Sequence, residues 1–177
     1  MKIDWDVKTI EDSLFLIPLL PLLGAAALGL FGRRLGRAEV HLIACGTVAT
    51  AALLVALILL PMAFPVLFAS GPVVSIGSTL GTWFAAGGIS VAASLFVDHL
   101  NAVLALVVSG VGLLIHVYST EYMAEEKAYA RYFAYLNLFV GFMLLLVLAN
   151  DLILMFVGWE GVGLCSYLLI GFWYDDD

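Results

Sequence analysis

Residues 151–174 read DLILMFVGWEGVGLCSYLLIGFWY. Between Asp151 and the terminal aromatic pair, Glu160 is the only charged side chain, and a run of that length suits a helix crossing about 30 Å of hydrocarbon. At 1.5 Å per residue, Glu160 lies about 13 Å beyond Asp151 and about 20 Å before Trp173, close to mid-bilayer. Its side chain is too short to snorkel to either interface. An acidic group at that depth costs about 3 kcal/mol even on the mildest insertion scales, which marks a candidate functional site. The chemistry of the group points to a proton relay or to pairing with a buried cation. The structural alternative is a protonated acid that hydrogen-bonds a neighbouring backbone and holds helices together.

Helical spacing sets Phe156, Val157, Gly163, Leu164 and Tyr167 on the face of Glu160. Tyr167 places a hydroxyl about 10 Å along the axis, a second candidate relay group. Gly158, Gly161 and Cys165 form a small-residue stripe on the opposite face, suited to close helix packing. GWEGVG resembles a phosphate-cradling glycine loop only superficially, because no strand precedes it and the lysine is missing.

The rest of the chain agrees with a membrane protein. Of 177 residues, 64% are hydrophobic and 12% charged, far from the composition of a soluble domain; the mean hydropathy is +1.11. The expected fold is an all-α integral membrane domain over 1–177 with five transmembrane helices at 13–31, 41–64, 100–118, 132–149 and 152–173. Ser13 is the expected N-cap of the first, with Pro18 and Pro21 kinking its start. The segment 65–97 is too rich in Gly and Ser for a helix. Alternation over 90–97, a partner run at 80–84 and the turn signal Gly87-Gly88 predict a small β-hairpin outside the membrane, with an amphipathic re-entrant piece as the alternative.

The net charge of −7 collects at the chain ends, in Asp4, Asp6, Glu11, Asp12 and Asp175 to Asp177, which excludes nucleic acid as a partner. The N-terminus lacks the basic n-region of a cleaved signal peptide. Cys45 and Cys165 sit in apolar runs without metal-ligand spacing and read as small packing residues. Arg33, Arg34 and Arg37 follow the first helix, and Lys127 and Arg131 follow the third. The positive-inside rule then puts the C-terminus in the cytoplasm and the N-terminus and hairpin outside, in a bacterial inner membrane. Tyr118, Tyr122 and Tyr132, and Trp173 with Tyr174, fit interfacial belts.

Three further polar positions are weaker candidates. Asp98 opens the third helix beside His99 and reads either as a helix cap or as a site of proton uptake. His116, near the other end of that helix, is a structural residue or a relay group that titrates near neutrality. Asn137 reads as interhelical glue.

The run 151–174, together with RYFAYLNLFVGFMLLLVLAN (131–150) and VDHLNAVLALVVSGVGLLIHVYSTEYM (97–123), closely resembles the subunit L family of bacterial NADH-quinone oxidoreductase, whose mitochondrial counterpart is chain 5 of respiratory complex I. The first part of the chain resembles it more weakly. The resemblance implies an antiporter-like proton-translocating subunit of the membrane arm, with the glutamate matching Glu160 paired to a lysine on a later broken helix. It also implies that NADH, FMN, iron–sulfur clusters and quinone belong to partner subunits and none to this chain. The expected partners are the other membrane-arm subunits, above all a neighbouring antiporter-like one, and lipids. No lysine lies in the five apolar segments, and the chain matches only the N-terminal part of the family. A subunit of a multisubunit Na+/H+ antiporter and a non-catalytic scaffold fragment are the alternatives.

Overall fold

The computed structural model describes Glu11, Ser13 and residues 14–64 and 75–174. The acidic Asp4, Asp6, Asp12 and Asp175 to Asp177, and the start of the predicted loop at 65–74, lie outside the described residues. Among the described residues, five helices are long and apolar enough to cross a membrane. They are α1 (Leu16–Phe31), α2 (Arg37–Ala63), α3 (His99–Tyr122), α4 (Tyr129–Leu148) and α5 (Leu152–Ile170). Two strands, β1 (Ile76–Ala86) and β2 (Ile89–Val97), form the expected antiparallel hairpin between α2 and α3. Its turn residues Gly87 and Gly88 have φ of 58° and 88°, the left-handed pair that a two-residue hairpin turn demands.

The helix ends differ from the apolar runs because polar residues extend or cap them. α1 starts behind Phe15 rather than at Ser13, and Pro21 lies inside it. α2 starts at Arg37, four residues before the apolar run, because the Glu39 carboxylate accepts the Gly36 N–H at 2.8 Å. α3 begins at the Asp98 cap, which accepts the Asn101 N–H at 2.9 Å. It runs one turn past Tyr118, where Ser119 Oγ meets the Tyr132 hydroxyl of α4 at 3.1 Å. Asp151 Oδ1 accepts from Ile153 and Leu154, so α5 starts where expected. It ends at Ile170, and a turn carries Trp173 and Tyr174.

α4 is the hub, packing on α1, α2, α3 and α5 and touching β2. α5 leans on α4 and β2 alone among the elements it packs against substantially. Small residues let these helices approach. A Cβ on Gly158 would sit 2.8 Å from the Leu146 backbone, and one on Gly161 would run into the Phe142 ring. On α1, a Cβ on Gly24 would lie 2.5 Å from Thr47 Oγ1 and 3.0 Å from Asn137 Oδ1. There Thr47 of α2 contacts Asn137 Oδ1 of α4 at 2.9 Å, while Asn137 Nδ2 donates to the Phe133 carbonyl. Asn137 is fully buried, as interhelical glue should be.

The hairpin is tied to the same hub. Leu95 bridges Ala149, and Ser94 accepts at both its carbonyl (from Asn150 N, 3.0 Å) and its hydroxyl (from Asn150 Nδ2, 3.2 Å). At the other end, Glu126 accepts from the Ala128 N–H and from the Trp173 indole, each at 3.0 Å, and so joins the α3–α4 connection to the end of α5.

Two outcomes follow from these contacts. Gly158→Ala, pressed against backbone that cannot rotate away, should destabilise by about 1–3 kcal/mol, whereas Gly163→Ala, with nothing within 4 Å, should be near neutral. Thermal unfolding of the two variants in detergent compares them. The two hydrogen bonds to Glu126, the backbone one first, hold its carboxyl below the usual carboxylate range. A depressed folded pKa stabilises above the unfolded value of about 4.3 and stops doing so once pH falls through the folded value. The stability difference between wild type and Glu126→Ala should therefore be full at neutral pH and shrink in acid below that range, as read from unfolding midpoints against pH.

Candidate functional site

Glu160 is the ninth residue of α5, at the middle of the helix. Its position around the axis follows from the seam with α4. Leu154, Gly158, Gly161 and Cys165 are the buried residues of α5, and this stripe turns Glu160 to the other side. The side chain is exposed, and no described residue hydrogen-bonds to it or pairs with it. The expectation of a buried acid is corrected by this: the five helices among the described residues do not enclose it. Around it stand Phe156 (60% exposed), Trp159 (66%) and Tyr167 (74%), with Gly163 and Leu164 also open. The two faces read from the helical spacing are the two faces observed, and only the enclosure is missing.

Tyr167 shares the open face but makes no hydrogen bond through its side chain among the described residues. The structure therefore places two of the candidates, Glu160 and Tyr167, on one surface of one helix. The other two are elsewhere. Asp98 is spent on capping α3, and its neighbour His99 is exposed. His116 lies on α3, a helix that packs on α2 and α4, with α4 between it and α5.

His116 is 0% exposed. Its ring stands 6.1 Å from that of Phe133. Nδ1 lies 2.8 Å from the Gly112 carbonyl one turn back. A carbonyl only accepts, so Nδ1 carries the proton and Nε2 presents a lone pair. That Nε2 is buried with no partner among the described residues. Such a nitrogen can accept a proton from a hydroxyl or a water, chemistry that a purely structural histidine with both nitrogens bonded does not offer. The Thr47–Asn137 contact, by contrast, joins positions 90 residues apart, and nothing in the local sequence around either residue announces it. Among the described residues no three His, Cys, Asp or Glu side chains gather as a metal-holding group.

Two family profiles match the chain. Residues 83–133, from β1 through α3 to the start of α4, match the N-terminus of NADH-ubiquinone oxidoreductase (complex I) chain 5. Residues 149–177, which hold α5 and Glu160, match the transmembrane region of the NADH:quinone oxidoreductase/Mrp antiporter family. Among curated proteins, NADH-quinone oxidoreductase subunit L of Mycobacterium tuberculosis is 48% identical over 90% of this chain and 24% of its own length. The Escherichia coli K12 subunit L is 43% identical over 93% and 26%, and chain 5 of Dictyostelium discoideum 38% over 88% and 22%. Among solved structures, a chain of the Mrp complex from Dietzia sp. DQ12-45-1b superposes with TM-score 0.66 at 28% identity, covering 89% of this chain and 16% of that one. The chain spans about a quarter of the length of the curated relatives it matches. It is an integral membrane homologue of the NADH-quinone oxidoreductase subunit L and chain 5 family, and corresponds to an N-terminal part of those proteins.

Proposed function

We propose that the chain is the N-terminal portion of an antiporter-like, proton-translocating subunit in the membrane arm of an NADH:quinone oxidoreductase, and that Glu160 is its charge-pairing relay group. The observation that carries this reading is the position of Glu160: mid-helix, on a face that no described residue covers, opposite a face closed by glycine packing. An acid facing hydrocarbon is costly, and intramembrane acids characteristically face a bundle interior, a water-filled cavity or a cation. The open face of α5 is accordingly assigned to contact with further transmembrane segments that bring the cation, in keeping with a chain that spans about a quarter of its relatives. At an effective dielectric of ~20, a carboxylate and an ammonium 4 Å apart attract by about 4 kcal/mol, equivalent to about three pKa units on the ammonium. Moving the pair apart then drives a proton off the lysine, and bringing it together draws one on.

In this reading Tyr167 lines the same interface and His116 serves a separate path through Nε2, with Asp98 at its outer end. NADH, FMN, iron–sulfur clusters and quinone act in partner subunits. The subunit sits in a bacterial inner membrane with its N-terminus outside, next to another antiporter-like subunit. Identities of 38–48% to the oxidoreductase subunits, against 28% to the Mrp chain, favour this over a sodium/proton antiporter.

In the assembled complex reconstituted in vesicles, Glu160→Gln should lower NADH-driven proton uptake at least about tenfold, as expected from losing a coupling of several kcal/mol, while the complex still assembles. Unchanged proton uptake in that variant would contradict the assignment. Full activity with Glu160→Leu would instead favour the scaffold reading.

A further inference from the structure

Seven basic residues occur in the chain. The five that the structure describes, Arg33, Arg34, Arg37, Lys127 and Arg131, all lie in or beside the α1–α2 and α3–α4 connections. The two connections come together at one end of the bundle. Between them is an open cleft of about 580 Å³, lined among others by Arg33, Arg37, Lys127 and Arg131. Four positive groups around one cleft would repel one another without a counter-charge. Glu126 is the one acid in the lining; its carboxylate attracts Arg131 and accepts from the Ala128 N–H and the Trp173 indole, so positive groups still outnumber acids there four to one. Glu39 is not among the lining residues and accepts the Gly36 N–H. Arg131 reaches back to the Phe172 carbonyl and ring, and Arg37 stands 6.0 Å from the Tyr129 ring. No arginine or lysine among the described residues pairs with a carboxylate within ion-pair distance.

The cleft opens where α1, α2, α3 and α4 reach the ends of their apolar spans. By the length and hydropathy of those spans, the bilayer's headgroup level falls there. Leu30 and Phe31, 76% and 54% exposed, sit immediately before Gly32 of the lining and give an acyl chain an apolar surface to follow. Arginine forks match phosphate oxygens in geometry, and basic pockets between transmembrane helices suit acidic headgroups. We propose that this cleft is a binding site for the phosphate of an anionic phospholipid, held by Arg33, Arg37 and Lys127. The bound lipid would bridge the two connections and clamp the α1–α2 and α3–α4 hairpins at the basic end of the bundle.

The test uses the full-length subunit purified in detergent and offered an equimolar mixture of phosphatidylglycerol and phosphatidylcholine, with retained lipid read by native mass spectrometry. Wild type should retain phosphatidylglycerol in preference. Arg33→Gln/Arg37→Gln/Lys127→Gln should retain about a hundredfold less of it, each of the three charges being worth about a fivefold effect near an acidic surface, with phosphatidylcholine unchanged. Arg33→Lys/Arg37→Lys, which keeps the charge, should keep the preference and guards against a folding defect. Equal retention by the neutralised and wild-type proteins overturns the proposal. So does full displacement by millimolar inorganic phosphate, which would identify a soluble anion as the ligand. Exclusion of the lipid in the assembled complex by an acidic segment of a partner subunit overturns it as well.

Discussion

The seam between α4 and α5 sets the rest of the site. Inside a bilayer the hydrophobic effect does not press helices together, so association rests on close van der Waals approach and on interhelical hydrogen bonds. Gly158 against Leu146 and Gly161 against Phe142 supply the approach. The same device recurs on two other helices that meet α4, at Gly24 of α1 and at Gly112 of α3, where a Cβ would stand 3.1 Å from Val140. Glycine contacts of this kind fix rotation as well as distance, because only one face of each helix can come so near. Glu160 points away from the bundle for that reason, and its neighbours have no say in it.

The polar groups that do lie within the bundle obey a different rule from Glu160. Asn137 uses its amide on the Phe133 carbonyl and its oxygen on Thr47. Ser109 donates one turn back to Ala105, and His116 does the same to Gly112. Each is satisfied by its own helix or by the one beside it, and none needs anything further except His116 at Nε2. An acid cannot be met so cheaply by backbone carbonyls, which repel its ionised form. Among the described residues there are thus two classes of intramembrane polarity: neutral groups that knit the helices, and one acid that faces away from them.

How much of this could be read from the sequence follows from what hydropathy and periodicity measure. Hydropathy reports length and polarity, so the five helices and the Gly87-Gly88 hairpin were legible, with errors at the ends where Glu39, Asp98 and Ser119 extend or cap an element by local hydrogen bonding. The two faces of α5 were legible too, because glycines and a glutamate mark opposite sides of one helix. Partner choice was not. When nearly every face is apolar, no pattern says that α4 is the hub, that Thr47 meets Asn137, or that His116 ends fully buried between helices. Enclosure of Glu160 was inferred from its energetic cost alone; cost shows that a partner is needed but not which segment supplies it.

The depth of Glu160 is a separate matter from its direction, and a different contact controls it. β2 holds the α4–α5 connection through Leu95–Ala149 and the two bonds between Ser94 and Asn150. The next residue, Asp151, caps α5 with Oδ1. Strand, connection and cap therefore form one rigid corner from which α5 departs, and Glu160 follows nine residues later, about 13 Å along the axis. A slip of one residue in one direction would rotate the helix by about 100° and put the acid where Gly161 meets the Phe142 ring, which leaves no room for a side chain. The hairpin, which contributes no acid or base to the candidate site, thereby sets the height at which α5 presents one, while the glycine seam sets its direction.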